Sequence, residues 1–381
     1  MSEVRVNNLS NENNTGGPTI SGITTYSGRH FFVPPSGDTA SRPEDCEPGS
    51  LRFNTDSAKL EYFRGNTIGW TEIEAELTEP LGTSATGVGH RGIVVGGGAP
   101  GGNTHMDFYN HSTLGSSADF GDYYQAERNA GNGQAGNSTR MLILCGDLNP
   151  QGGPIHGNIA SITIASTGYS SDSSNDMTQA RRLNAQFSNS TRACAAGGYE
   201  PTTNIIDFTT ISSMSAGVDF GDLSSAAYFQ AGSSSSTRGV IIKTNSTNTI
   251  EFVTISTTGD ATDFGDTQVV GQSLGLANNS TRIVIAEGGS PSLTNTISFI
   301  TTATTGNAID FGDIVGASRR DGVGTSSPTR GVFSCGYDGS SFHDEQDAIE
   351  LATTGNSVNF GDTTNGNRFR LSGGSSGHGG L

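Results

Sequence analysis

Arginine recurs along this chain at a fixed spacing, each time at the head of an apolar run. Thr139-Arg140, Thr191-Arg192, Thr237-Arg238, Thr281-Arg282 and Thr329-Arg330 are five Thr-Arg pairs, and Arg91, in His90-Arg91, precedes them. Successive arginines lie 49, 52, 46, 44 and 48 residues apart. Six guanidiniums brought together would suit an anion or a glycan acid. The same residues would also serve as clamps between repeated units, through ion pairs with the repeat aspartates or through backbone carbonyls. The clamp is the favoured reading, because every unit carries the arginine whereas binding sites usually break symmetry. A buried arginine in that role needs a carboxylate or several carbonyl partners.

A second recurring group is Asp-Phe-Gly-Asp, at Asp119–Asp122, Asp219–Asp222, Asp263–Asp266 and Asp310–Asp313, with Asn359-Phe360-Gly361-Asp362 as a variant. Asp-Phe-Gly invites a phosphoryl-transfer reading, but four copies at repeat spacing, without a Gly-rich loop and lysine or a His-Arg-Asp motif, argue for a structural element. Its Phe is expected to pack between units and its Gly-Asp to turn the chain. The seven histidines have no metal-ligand spacing with Cys or carboxylates, and no Ca²⁺ loop of EF-hand type is present. No pair of carboxylates stands out for acid–base work, so neither catalytic residues nor a cofactor or metal site are expected. Asn137-Ser138-Thr139, Asn189-Ser190-Thr191 and Asn279-Ser280-Thr281 match glycosylation acceptors, yet all fall in the turn before the repeat arginine, where turn chemistry explains them.

The elements that hold these groups follow from the period, which signals a repeat architecture. After each arginine comes a short apolar run, such as Met141-Leu142-Ile143-Leu144-Cys145 or Ile283-Val284-Ile285-Ala286, suited to a strand covered on both faces. An alternating segment follows, such as Thr249–Ile255, with apolar side chains on one face. A Thr-Gly turn leads to the Asp-Phe-Gly-Asp segment, and a weaker Ala/Ser/Gly-rich strand returns to the next arginine. In the second unit the stretch near Asp172–Asn175 lacks the aromatic residue. Four short strands per unit predict a propeller blade. Six arginine-led units predict six blades, and the fourth-phase strand in residues 363–381 is placed to complete the first, which removes an open edge.

This order resembles the kelch repeat over residues 83–381: a loose strand, an apolar strand ending in Gly-Gly, an alternating strand and a short aromatic strand. The family's paired Tyr and Trp landmarks are replaced by Phe120, Phe220, Phe264, Phe311 and Phe360. The expected fold is therefore all-β: a six-bladed kelch-like β-propeller closed by the C-terminal strand, preceded by a small N-terminal β-meander or extended anchor.

Residues 1–82 lack the period. Residues 1–16 are Asn-rich and apolar-poor and are expected to be disordered or extended. Residues 17–82 are expected to form a β-rich assembly module, with a hairpin around Asn54-Thr55-Asp56 and a third strand holding Trp70, a core residue rather than a ligand platform. The run Gly49-Ser50-Leu51-Arg52-Phe53-Asn54-Thr55-Asp56, continued by Lys59-Leu60-Glu61-Tyr62-Phe63 and Trp70 after Val33-Pro34-Pro35, resembles a module near the start of tailed-phage tail-fibre and other virion proteins. The repeats, with residues 304–313 as the best copy, likewise resemble those of marine-phage structural proteins. The resemblance implies a non-enzymatic virion component, a tail-fibre, tail-associated or surface-exposed adhesion protein. It would contact other virion proteins through residues 1–82, be oligomeric in the particle, and meet a host surface glycan or receptor. A glycan-acting propeller hydrolase, a capsid-surface decoration protein and a cellular kelch-like interaction module are the alternatives.

Composition narrows the partners. The chain of 381 residues has 55 glycines and a net charge of −17, with 37 acidic against 20 basic residues. That balance argues against nucleic-acid backbones and anionic membrane surfaces. No apolar run approaches membrane-spanning length, and the first 16 residues lack signal-peptide features, so synthesis in a host cytoplasm is expected. Cys145 and Cys335 occupy equivalent places five residues after an arginine, which predicts buried small hydrophobes rather than a disulfide framework. Loops that depart from the repeat are the candidate recognition elements: Gly146–Gly157, Tyr199–Thr203, and Tyr337–Gln346 with Phe342 and His343.

Overall fold

A computed structural model describes residues 34–44, 46–57, 59–73, 91–98, 103–128, 131–148, 153–243, 247–273, 275–289, 291–364 and 366–381. The expectations for residues 1–16, for 17–33 and for a boundary at 82/83 lie outside these residues. The chain divides into two compact units, Met1–Leu77 and Thr78–Leu381. The described residues are all-β, without a helix, and so none is long and apolar enough to cross a membrane.

In the first unit, β1 (Ser36–Gly37), β2 (Leu51–Asn54), β3 (Lys59–Phe63) and β4 (Trp70–Ile73) form one sheet in that order. The β2–β3 hairpin pairs Asn54 with Lys59 around the expected turn, and β3–β4 pairs Phe63 with Trp70. So small a sheet has little apolar core. Its centre is instead Glu61, fully buried, whose carboxylate takes Arg42 at 2.6 Å and Arg52 at 3.5 Å. Trp70 is half-buried; its Nε1 donates to Pro43 O and Arg52 lies over its ring.

The larger unit is built from antiparallel meanders, each led by a repeat arginine. The first has β5 (Arg91–Val95), β6 (Asn103–Asn110) and β7 (Ala118–Arg128). The second has β9 (Arg140–Leu148), β10 (Ile155–Thr163) and β11 (Ser171–Asp176), with β9 paired to β7 rather than to the short β8 (Asn132–Gly133) that precedes it, so the expected fourth strand is missing from its sheet. The third has β12 (Ala185–Ser188), β13 (Arg192–Gly198), β14 (Thr203–Thr210) and β15 (Val218–Ala227), and the fourth β16 (Ala231–Ser234), β17 (Arg238–Ile242), β18 (Thr249–Thr254) and β19 (Thr262–Asp266). The fifth has β20 (Gly275–Asn278), β21 (Arg282–Ala286), β22 (Thr296–Thr301) and β23 (Ile309–Asp313). The sixth has β24 (Val323–Ser326), β25 (Arg330–Tyr337), β26 (Phe342–Glu350) and β27 (Val358–Asp362), and β28 (Ser372–Ser375) follows. β28 pairs with β5, from Ser372↔Val95 to Ser375↔Gly92, and so completes the first meander from the far end of the chain. The short β8 runs parallel to both β12 and β16, joining the third and fourth meanders into one nine-stranded sheet.

The arginine-led strands are apolar on both faces because each serves two cores. Ile93 and Val95 pack with Met141 and Ile143 of the next meander, while Val94 packs with Val323 and Val332 of the sixth. Leu142 and Leu144 join Ala193 and Ala195, and Cys194 joins Ile241. Val240 and Ile242 join Ile283 and Ile285, and Val284 and Ala286 join Phe333. Six cores thus link consecutive meanders, the sixth joining the last to the first. Phe120, Phe220, Phe264, Phe311 and Phe360 are each about 2% exposed within one of these cores. Met177 lies in the core between the second and third, where the aromatic is missing.

The glycine of Asp-Phe-Gly-Asp does not turn the chain. It lies inside a strand, opposite a register shift such as that between Ile250 and Glu251, which marks a β-bulge. Gly265 has φ +147°, and a Cβ there would sit 2.5 Å from Gly306 O, because the next meander's Thr-Gly turn docks on this strand. Gly306 N donates to Phe264 O and Ala308 N to Asp266 O, both at 2.8 Å. Left-handed backbone plus a facing carbonyl leaves room only for glycine. Cys145 and Cys335 adopt φ +64° and +62°, at the place where Gly96 and Gly197 stand in other meanders. Both are buried, as is Cys194.

The six short strands β8, β12, β16, β20, β24 and β28 converge on a polar centre. Gln134 Nε2 donates to Asn278 Oδ1 and Ser326 Oγ, and Ser375 Oγ donates to Gln134 Oε1. Residues 377–380 cover one end of this centre and are buried. His378 Nε2 lies 3.2 Å from Gly136 O, and its Nδ1 accepts from Gly380 N. This arrangement defines a neutral imidazole with Nε2 as donor, and burial lowers its pKa from 6.5 to about 4. A folded pKa below the unfolded one contributes stability that is present above pH 6.5 and lost as pH falls toward 4. The loss is up to about 3 kcal/mol. Melting temperature should therefore fall between these pH values in the native protein, and fall less in His378→Gln, whose amide can still donate to Gly136 O.

Candidate functional site

Each repeat arginine reaches across to the next meander. Arg91 Nη1 donates to Ile164 O at 2.7 Å, Arg140 to Ile211 O at 3.0 Å and Arg192 to Ile255 O at 2.9 Å. Arg238 donates to Thr302 O and Arg282 to Leu351 O, both at 2.9 Å, and Arg330 donates to His111 O at 2.8 Å. The last donation returns to the first meander, so the six form a closed cycle. Four guanidiniums also lie over a phenylalanine of their own meander: Arg91 on Phe108, Arg192 on Phe208, Arg238 on Phe252 and Arg282 on Phe299, at 4.2–4.6 Å. Phe108, Phe208, Phe252 and Phe299 each meet the Asp-Phe-Gly-Asp ring edge-on, at 5.8–6.0 Å. A guanidinium stacked on a ring and bonded to a carbonyl is a connector between meanders. The turn before it is set by Asn137, Asn189 and Asn279, whose Oδ1 accepts from the Thr and Arg backbone N–H groups. Ser235 and Ser327 take that place before Arg238 and Arg330.

A second set of charges escaped the sequence reading. Arg181, Arg319 and Arg368 are at most 1% exposed and pair with Asp207, Asp347 and Asp107. Each arginine stands four residues before a central strand, β12, β24 or β28. Each aspartate stands three residues before the partner of a repeat arginine (Thr210, Glu350 and Asn110). That constant offset was the available signal. The fourth meander uses Lys243 and Glu251 at 2.9 Å instead. In the fifth, Glu287 accepts from Ser298 Oγ, and burial pushes its carboxyl pKa up. The three Arg–Asp pairs and the Lys243–Glu251 pair are each neutralised inside the fold.

At the starts of the central strands the repeat breaks. Leu183, Phe229, Ser273, Asp321 and Arg370 stand two residues before β12, β16, β20, β24 and β28. With Asn132 of β8 and the adjacent Gln230 and Gln272 they line a cleft enclosing about 340 Å³, its open mouth included. All six meanders contribute. Burial raises the pKa of the Asp321 carboxyl, opposed by Arg370, whose Nε lies 3.5 Å away.

The candidate recognition residues gather beside this cleft. Tyr199 packs on Tyr228 and Tyr228 on Phe229, with centroids 4.8 and 5.3 Å apart. Arg370 bridges Phe229 and Phe369, at 4.8 and 5.1 Å. Phe369 stacks on Phe342 at 4.6 Å and 13°, and Tyr337 lies 5.0 Å from Phe342. The result is a half-buried aromatic arc. Tyr199 and Tyr337 are equivalent, each seven residues after a repeat arginine. His343 supports the arc indirectly: its Nε2 bonds Asp338 at 2.9 Å. Donation from Ser341 N, then from His343 and Ser340, holds the Asp338 carboxyl well below the usual range. Gly146–Gly157 is described only in part. No group of three or more His, Cys, Asp or Glu suited to a metal occurs among the described residues. Compared with protein-family models and with curated proteins, the chain matches none.

Proposed function

We propose that residues 83–381 form a six-bladed β-propeller of kelch-like strand order. On this reading the protein is a non-enzymatic virion component, tail-fibre or tail-associated, anchored through residues 1–82 and presenting the propeller outward. The closed cycle of six arginine donations carries the architecture, because a chain of contacts that returns to its first member is what radial closure requires. The β28–β5 pairing and the six cores shared by consecutive meanders support it. The virion reading rests on the resemblance of residues 49–70 and of the repeats to phage structural proteins.

A glycan hydrolase would need two carboxylates facing one cavity. The described cleft wall supplies one, Asp321, and it is tied to Arg370. This favours attachment over hydrolysis. Mass spectrometry of purified particles, followed by cryo-electron microscopy, tests the assignment. Presence at the tail or fibre is the expected result, a capsid-surface position would favour a decoration protein, and absence from particles would overturn the virion reading.

A further inference from the structure

We infer that the cleft at the meeting of the six central strands binds a single neutral sugar residue, with its hydroxyl edge in the cleft and its ring against the aromatic arc.

The backbone first singles out the site. Leu183, Phe229, Asp321 and Arg370 have φ of 56°, 58°, 59° and 57°. Glycine takes that conformation at least cost, and this chain supplies glycine freely elsewhere. Here it keeps a leucine, a phenylalanine, an aspartate and an arginine at equivalent positions. Strained backbone bearing four different side chains, in a frame that otherwise repeats, is what a built site looks like.

The polar atoms then define the ligand. Gln230 is 1% exposed, and neither its Nε2 nor its Oε1 has a hydrogen-bonding partner among the described residues. Asn132 Oδ1 and Gln272 Oε1 are likewise buried without one. An unmet buried amide is costly, so a group that supplies its partners gains most of that back. The residues lining the cleft therefore carry three unmet amide oxygens and one unmet amide N–H₂. An anion is disfavoured by the three carbonyl oxygens, and a cation by the Arg370 guanidinium in the same wall. Asp321 and Arg370 offset each other, so the ligand is neutral. Hydroxyl groups donate and accept at once, which suits this mixed set. The enclosed part of the cleft takes about one hydroxyl-sized group, so only the edge of a ligand enters it. The rest of such a ring would meet Phe229 and the arc, whose faces suit its C–H surface.

This inference deepens the attachment reading but is tested on the isolated full chain. Saturation-transfer NMR is run with free glucose, galactose, mannose, fucose and N-acetylglucosamine in turn. Transfer to at least one is expected. Gln230→Met should weaken that binding about tenfold, the factor a ~1.4 kcal/mol interaction supports. It should also leave the melting temperature unchanged or raise it, since a buried unmet amide has been removed. Val315→Ser, at an exposed position, should leave transfer unchanged. Silence from all five sugars, undiminished transfer in Gln230→Met, or a lowered melting temperature in that variant would each overturn the site. Sugar binding by a protein absent from particles would remove only the virion reading; presence in particles without sugar binding would remove only this site.

Discussion

Arg368→Ala is expected to destabilise the protein by about 3–5 kcal/mol, because it leaves Asp107 as a buried, unpaired charge. Arg368 is fully buried, donates to Asp107, and also reaches Gly96 O at 3.2 Å and His105 O at 3.3 Å. Its backbone meanwhile bonds Gly336 and His343 of the sixth meander. One residue therefore ties the last meander to the first. A chain of this size should lose roughly 5–8 °C in melting temperature. The double variant Arg368→Met with Asp107→Leu should recover much of the loss, because apolar replacement of a whole buried pair is often neutral. A double-mutant cycle read by thermal denaturation decides the point. If the double variant is as unstable as the sum of the single ones, the pair is not coupled and this account of it is wrong.

The larger effect is expected from removing residues 363–381. That deletion takes away β28 and uncovers the edge of β5, every residue of which is buried. It also removes Leu371 from the core holding Val94, Val323 and Val332. Ser375 and His378 leave the polar centre, where they meet Gln134, Ser326 and Gly136. The unpaired edge would expose backbone donors and acceptors that no nearby strand can satisfy. Scanning calorimetry should then show loss of the single cooperative transition. An unchanged melting transition would refute closure by the C-terminal strand.

Much of the frame was legible before folding because it depends on short-range signals. Ile283-Val284-Ile285 reads as a two-faced strand from residue types alone, and Asn189 before Thr191-Arg192 reads as a turn. Arginine spacing shows how many times the unit occurs. Gly265 was misread as a turn for the same reason: glycine reports a need for positive φ, but not whether a bulge or a turn imposes it. What imposes it is Gly306 O, which belongs to the next meander.

The candidate site was legible only in pieces. Tyr199, Tyr337, Phe342 and His343 stood out because their loops depart from the repeat, but nothing in the sequence joins Tyr199 to Phe342. Phe229, Arg370 and Phe369 make that join, and none departs from an obvious pattern. Arg181 with Asp207 and Arg368 with Asp107 were equally hidden, since polar residues in a Ser- and Gly-rich stretch look solvent-facing until the strand starts are seen to converge. The sequence by itself determined the all-β class and the six arginine-led units, because period-two alternation and turn chemistry act between neighbours. Tertiary structure alone decided which charges are buried together, which amides are left without partners and where the aromatic loops meet. Those properties arise only where six distant strand starts are packed around one point.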